Sequence, residues 1–182
     1  PPARRVGSVL TTVTTTIEVR AGSRLVWVTH ELDNRSRDHR LRAHFPLPQA
    51  TDEATAECAF GLVTRGREAE GGPTETPTPT RPMRRFVCAG GLTLVQDGLL
   101  EYELVGEDLA LTLLRCTGAI SRGPMTTRAL PAGPTTETPA AQLPGRRVLR
   151  YALAVGDDTQ AAFALADEAF TPLLTARAAG GG

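Results

Sequence analysis

Hydrophobic and polar positions alternate with a period of two through much of this chain. The pattern is clearest in residues 83–123, where Leu100, Tyr102 and Leu104 fall on one face of a strand and Glu101 and Glu103 on the other. Such alternation is typical of a half-buried β-strand. Three apolar runs of this kind predict a β-meander with one dry face and one wetter face.

Two turn signals separate the runs of the meander. Asp97-Gly98 lies between two alternating runs, and this dipeptide is a strong short-range signal for a hairpin. Gly106-Glu107-Asp108 follows the second run and predicts another reversal.

The rest of the chain predicts more strands, two long loops and one helix. Alternation predicts strands at residues 8–20, 24–32, 39–45, 59–64 and 146–155. Residues 159–170 repeat apolar side chains at helical spacing after a possible N-cap at Asp157 or Asp158. Segments rich in proline, glycine and threonine predict loops at 66–82 and 124–144, and the polar segment 49–57 predicts irregular structure. About eight short strands and one helix favour an all-β antiparallel sandwich or barrel.

Composition narrows the classes of function. The 20 basic residues, all arginine, are balanced by 20 acidic ones, which argues against nucleic acid as a partner. No apolar run approaches the roughly 20 residues that span a bilayer, so no membrane association is predicted. Cys58, Cys88 and Cys116 have unrelated spacings, which predicts buried free thiols in a reducing compartment and thus a cytoplasmic location.

Motifs for catalysis are weak. Glu101 and Glu103 are neighbours on one strand face, and glycoside hydrolysis uses paired carboxylates, but we interpret them as ordinary residues of a solvated face. His30, His39 and His44 lack the spacing of metal ligands, so no metal site is predicted. Neither a nucleophile elbow nor a glycine-rich phosphate loop occurs in the sequence.

The densest polar cluster spans residues 33–46. Arginine and aspartate there offer the bidentate geometry that recognises a hydroxyl-rich or anionic ligand. We favour a salt-bridge network that fixes the turn, or an interface to another domain. The candidates for either role are Asn34, Arg35, Asp38, His39 and Arg40.

Residues 18–48 and 81–123, continuing into 140–155, carry a resemblance to a known family. They contain DNRSRDHRLR, RPMRRFV, QDGLLEYE, LTLLR and SRG in that order. In this order they resemble the C-terminal β-domain of glycoside hydrolase family 38, the α-mannosidases, in its bacterial mannosylglycerate-hydrolase-like branch. Gln96 stands where the family often has Asn.

The resemblance implies a galactose-mutarotase-like β-supersandwich and a parent enzyme that is a retaining α-mannosidase acting on a mannose-containing sugar. It implies a catalytic aspartate and zinc ligands in an N-terminal barrel, and hence no cofactor in this chain. The chain begins Pro1-Pro2 and ends in glycines, so we predict that residues 1–182 form one domain of a longer polypeptide. By position, Asp97, Gly98 and Arg122 are candidates for the rim of the active site.

Three hypotheses about function follow. The first is an accessory domain, not catalytic alone, that packs on the catalytic domain of its own polypeptide. The second is an autonomous carbohydrate-binding module, which needs exposed aromatic rings, whereas Trp27, Tyr102 and Tyr151 occupy strand positions typical of a core. The third is an aldose-epimerase-like enzyme, which needs His30 or His44 to converge with Glu101 or Glu103.

Overall fold

Two antiparallel sheets pack face to face in the computed structural model, which describes residues 8–69, 71–172 and 175. The strands are β1 (Val13–Val19), β2 (Val26–Asn34), β3 (Arg40–Pro46), β4 (Glu53–Cys58), β5 (Gly61–Gly66), β6 (Arg81–Pro82), β7 (Phe86–Ala89), β8 (Leu92–Gln96), β9 (Glu101–Val105), β10 (Asp108–Arg115) and β11 (Gly145–Val155). A short 3-10 helix (Pro139–Gln142) precedes β11, and helix α1 (Thr159–Phe170) follows it.

The strand order is β1-β2-β11-β8-β7-β4-β5 in the seven-stranded sheet and β3-β10-β9-β6 in the four-stranded sheet. This arrangement confirms the prediction of an antiparallel β-sandwich with one short α-helix near the C-terminus. No helix in the described ranges is long and apolar enough to cross a membrane. Pro1, Pro2 and the terminal glycines, on which the prediction of a longer polypeptide partly depends, lie outside the described residues.

The main core lies between the two sheets. Tyr102 of β9 and Leu109 and Leu111 of β10 face the seven-stranded sheet and are almost completely buried, as their alternation predicts. The expectation that Leu100 shares this dry face is wrong, because Leu100 precedes β9 and is 58% exposed.

A second core lies between the seven-stranded sheet and helix α1. Phe86 of β7 packs edge to face on Phe163 of the helix, with the ring centroids 4.9 Å apart. Asp158 caps the helix, since its carboxylate accepts hydrogen bonds from the backbone N–H groups of Gln160 and Ala161 at 2.9 and 3.3 Å. The predicted helix and the Asp158 alternative for its cap are therefore confirmed.

The hairpin predicted at Asp97-Gly98 is wrong. Strand β8 already pairs with β7 on one side and β11 on the other, so β9 cannot join it and instead begins the neighbouring sheet. The buried side chain of Gln96 stabilises this crossover, because it accepts from the N–H of Leu99 at 2.5 Å and donates to the carbonyl of Arg84 at 2.5 Å. The reversal predicted at Gly106 is confirmed as the β9–β10 hairpin.

Other element predictions need correction. The segment 83–123 contains four strands rather than three, because β7 and β8 form a hairpin around Gly90 and Gly91. Strand β4 lies in the segment predicted to be irregular, where only the small residues Ala54 and Ala56 mark its buried face. Strand β5 begins two residues later than predicted, and the short strand β6 ends the loop predicted at 66–82. The described residues thus contain eleven strands instead of about eight.

The prediction of free cysteines is confirmed. Cys58, Cys88 and Cys116 form no disulfide; Cys88 and Cys116 are buried as predicted, whereas Cys58 is only partly buried.

Gly90 is required by its close approach to a neighbouring backbone. Its φ is +51°, and a Cβ there would lie 2.2 Å from the carbonyl oxygen of Gln49. We expect Gly90→Ala to lower the free energy of unfolding by about 2 kcal/mol or more. The alanine would have to adopt a left-handed backbone conformation, and its Cβ would clash with the Gln49 carbonyl. Gly22→Ala is the control, because its φ is +80° but no atom lies within 4 Å of the added Cβ. Urea unfolding that gives equal losses for both variants would contradict this account.

Candidate functional site

The outer face of the four-stranded sheet carries a network of ion pairs. Strand β10 separates the arginines of β3 from the glutamates of β9. Arg40 Nη2 lies 2.6 Å from Glu101 Oε1, and Arg42 Nη1 lies 2.9 Å from Glu103 Oε2. The hydroxyl of Thr112 on β10 lies between them and donates to Glu101 Oε1 at 2.7 Å.

Glu101 and Glu103 are partly buried, with side chains 18% and 14% exposed. Glu101 also accepts a hydrogen bond from Arg115 Nη1 at 3.0 Å, and Glu103 accepts one from the Thr80 hydroxyl at 3.1 Å. These glutamates lie on the wetter face of β9 as predicted, but they are partly buried and held in ion pairs rather than freely solvated. Their carboxylate oxygens are thus engaged by arginine and threonine donors of this domain.

A second polar network fixes the turn between β2 and β3. The buried Asn34 side-chain amide donates to the carbonyls of Gln142 and Leu143 at 3.0 and 2.9 Å. Asp38 has a φ of 51° and forms two hydrogen bonds with the Gln142 side chain, each 2.8 Å long. These contacts tie the turn to the 3-10 helix before β11.

A cleft of about 930 Å³ lies between the charged face of the sheet and the segment 116–128. Four candidates from the sequence line it, namely Asp38, His39, Arg40 and Arg122. Arg122 Nη2 lies 3.9 Å from Asp38 Oδ1, and His39 Nε2 lies 4.0 Å from the Cys116 sulfur.

The other candidates lie outside the lining of the cleft. Arg35 forms an exposed ion pair with Asp33 at 2.6 Å. Asp97 and Gly98 are exposed at the crossover between the sheets. The sequence interpretation missed Arg42 and Arg115 as partners of the two glutamates. Arg40 and Arg42 alternate along β3, which could have indicated that they share one face of the strand. The pairing of β3 with β10, which brings them to the glutamates, is not visible in the sequence.

The histidines do not converge with the glutamates. A hydrogen bond of 2.8 Å joins His30 Nε2 to the Tyr151 hydroxyl, and His44 Nδ1 lies 3.2 Å from Asp108 Oδ2. Neither hydrogen-bonds to Glu101 or Glu103, so the geometry does not support the epimerase hypothesis. In the described residues no three His, Cys, Asp or Glu side chains are grouped so that they could hold a metal ion.

Aromatic residues in the described ranges form no sugar-stacking platform. Tyr102 and Tyr151 are buried in the core. Trp27 is half-buried, with the Arg20 guanidinium 3.9 Å from its ring centroid. Phe60 at the β4–β5 turn is the one large aromatic side chain in the described ranges that is highly exposed, and a lone ring gives little support to a carbohydrate-binding module.

His30 makes the stability of the fold depend on pH. Burial lowers the pKa of His30 below its ordinary value of 6.5. As the pH falls through 6.5, His30 of the unfolded chain binds a proton, whereas His30 of the folded chain stays neutral until its lower pKa is reached. The free energy of unfolding therefore decreases as the pH falls between these two pKa values. We expect His30→Gln to lose less stability than the original chain between about pH 7 and about pH 5. Urea midpoints across that range would contradict the account if the two proteins changed in parallel.

Comparisons with known proteins agree with the resemblance. The model of the glycosyl hydrolases family 38 C-terminal domain matches residues 5–119. A protein of Halalkalibacterium halodurans named "Putative mannosylglycerate hydrolase" is 30% identical over 146 residues, which cover 78% of this chain and 15% of that protein.

Two solved structures from Enterococcus faecalis share the fold. A protein in glycosyl hydrolase family 38 has a TM-score of 0.66 and 26% identity, and an alpha-mannosidase has a TM-score of 0.65 and 27% identity. Each match covers 86% of this chain and 17% of the other, so the chain spans about a sixth of the length of these relatives. Because the family model matches more than half of the sequence, the chain belongs to the glycosyl hydrolase family 38 C-terminal domain family.

Proposed function

We propose that this chain is the non-catalytic C-terminal domain of an α-mannosidase-like glycosidase and packs on the catalytic domain of the same polypeptide. The observation that carries the proposal is that arginines hold Glu101 and Glu103 in ion pairs. In addition, the matched region makes up only about a sixth of the relative's length, which leaves room for a separate catalytic domain. The two neighbouring carboxylates thus act in a structural ion-pair network.

The surface we propose for this contact is the uncovered part of the seven-stranded sheet at β1. Val13, Ile17 and Val19 lie opposite Leu32, Val28 and Val26, so they share the face of β2 that enters the core. The four-stranded sheet does not cover them, and Ile17 and Val19 are 67% and 72% exposed. An exposed apolar row at a sheet edge is typical of a protein interface, and the occupant we propose is the rest of the same polypeptide.

A binding experiment tests the contact. The 182-residue chain is mixed with the separately expressed remainder of its polypeptide, and the dissociation constant is measured by calorimetry. We expect Ile17→Glu to weaken binding roughly tenfold or more while its own stability changes by less than about 0.5 kcal/mol. Thr16→Glu is the matched control, since Thr16 points to the opposite face of β1. No association, or equal weakening by both variants, would refute the contact.

The finer features of the parent enzyme belong to the same proposal. We propose a retaining mechanism on a mannose-containing sugar, with zinc held by the catalytic domain and the enzyme located in the cytoplasm. Asp97, Gly98 and Arg122 remain our candidates for the rim of its active site. In the whole enzyme, Asp97→Asn that leaves KM for an aryl α-mannoside unchanged would remove Asp97 from this role.

A further inference from the structure

We propose that the cleft binds a small anionic sugar, that is, a hydroxyl-rich molecule with one carboxylate or phosphate group. The cleft is a site of suitable size, because ligand pockets commonly enclose about 300–1,000 Å³ and this one encloses about 930 Å³. Arg122 is also a candidate for the rim of the active site, but this proposal is tested on the 182-residue chain alone, so its outcome is separate from that role.

Positive charge is concentrated in the cleft although the whole chain is neutral. Three carboxylates line it, from Asp38, Glu101 and Glu103, against six arginines, Arg40, Arg42, Arg81, Arg115, Arg122 and Arg128. A surplus of guanidinium groups on concave walls attracts an anion.

Two of these arginines keep donors available for a ligand. Arg122 is 60% exposed and comes no nearer than 3.9 Å to Asp38, its carboxylate neighbour. Arg115 contacts Glu101 through Nη1, and its side chain is 69% exposed, so much of the guanidinium group is accessible from solvent. Guanidinium groups bind carboxylate and phosphate in a bidentate manner, which suits both anion types.

Unsatisfied hydrogen-bonding groups also concentrate around the cleft. Five buried side-chain nitrogen or oxygen atoms in the described residues lack a partner, and three of them belong to residues that line it, His39, Arg81 and Arg128. Buried polar atoms are nearly always paired in proteins, but these three nitrogens are covered by protein and do not face the cleft, so the proposal rests on the exposed arginines.

The remaining walls suit a sugar better than a bare anion. Thr78 and Thr117 contribute hydroxyl groups to the lining. Leu100 and Ile120 are 58% and 64% exposed at the same cleft and offer apolar surface to the C–H face of a sugar ring. A bare phosphate would use the arginines but not these groups.

A titration of the 182-residue chain tests the proposal by NMR chemical-shift changes. The probes are glucuronate, glucose 6-phosphate, inorganic phosphate alone and neutral methyl α-mannoside. We expect saturable binding of at least one anionic sugar, with shifts at the cleft residues, and weaker binding as salt is raised. The glucuronate and glucose 6-phosphate arms distinguish a carboxylate from a phosphate ligand.

Variants locate the site. Arg122→Gln and Arg115→Gln are each expected to weaken binding of the anionic sugar roughly tenfold, the loss of one charge-assisted contact. Arg146→Gln is the matched control, because Arg146 is an exposed arginine paired with Glu31 outside the cleft, and binding should be unchanged. Thermal unfolding checks that each variant is folded. Absence of saturable binding, equal affinity for methyl α-mannoside or for phosphate alone, or equal effects of all three variants would overturn the proposal.

Discussion

Replacing Phe86 by alanine is expected to lower the free energy of unfolding by about 3–5 kcal/mol. Phe86 is 0% exposed and packs edge to face on Phe163, so the change opens a cavity between the seven-stranded sheet and helix α1. The helix has few other large side chains with which to fill that space, since much of its buried face is Ala162, Leu165 and Ala166. Urea unfolding followed by circular dichroism measures the loss.

Phe60→Ala is the matched control for this change. Phe60 is fully exposed at the β4–β5 turn, so the same substitution there should alter the free energy of unfolding by less than about 0.5 kcal/mol. If Phe60→Ala were as destabilising as Phe86→Ala, the position of the second core would be wrong.

Arg85→Leu should produce the second large effect, a loss of about 3 kcal/mol in the free energy of unfolding. The Glu57 side chain is only 5% exposed and is held by two Arg85 nitrogens, each at 2.8 Å. Arg85 also reaches Asp167 of helix α1 at 2.7 Å. The substitution therefore leaves a buried carboxylate without its main cation and removes a link between helix and sheet.

The controls for Arg85 separate a buried ion pair from an exposed one. Arg146→Leu breaks the exposed pair with Glu31 and should change stability by less than about 1 kcal/mol. Glu57→Gln combined with Arg85→Leu removes the unpaired charge, and chemical denaturation should recover part of the loss. A double variant less stable than Arg85→Leu alone would argue against an uncompensated carboxylate as the cause.

Local patterns in the sequence predicted the elements that depend on local physics. Helix α1 and its Asp158 cap follow from apolar spacing and a polar residue before it, and the Gly106 reversal follows from turn chemistry. The Asp97-Gly98 hairpin failed because local turn chemistry says nothing about whether β8 has a free edge. Strand β4 was missed because Ala54 and Ala56 give a weak alternation, and its pairing with β5 and β7 stabilises it from both sides.

The candidate site was only partly visible in the sequence for the same reason. Arg40 and the pair Glu101 and Glu103 were noticed separately, about 60 positions apart. They meet because β3 and β9 both pair with β10, a non-local arrangement that residue periodicity does not encode. The alternation favoured an antiparallel sandwich or barrel and the family resemblance implied the sandwich, whereas the ion-pair network and the cleft required the structure.

Hydrolysis of an aryl α-mannoside by the purified 182-residue chain is the measurement that tests the central claim most directly. The chain is assayed beside the whole polypeptide, with and without added zinc. We expect turnover by the whole polypeptide and none above buffer by the 182-residue chain, because its paired carboxylates are held in ion pairs. Turnover by the 182-residue chain that is abolished by Glu101→Gln or Glu103→Gln in folded protein would contradict a non-catalytic role.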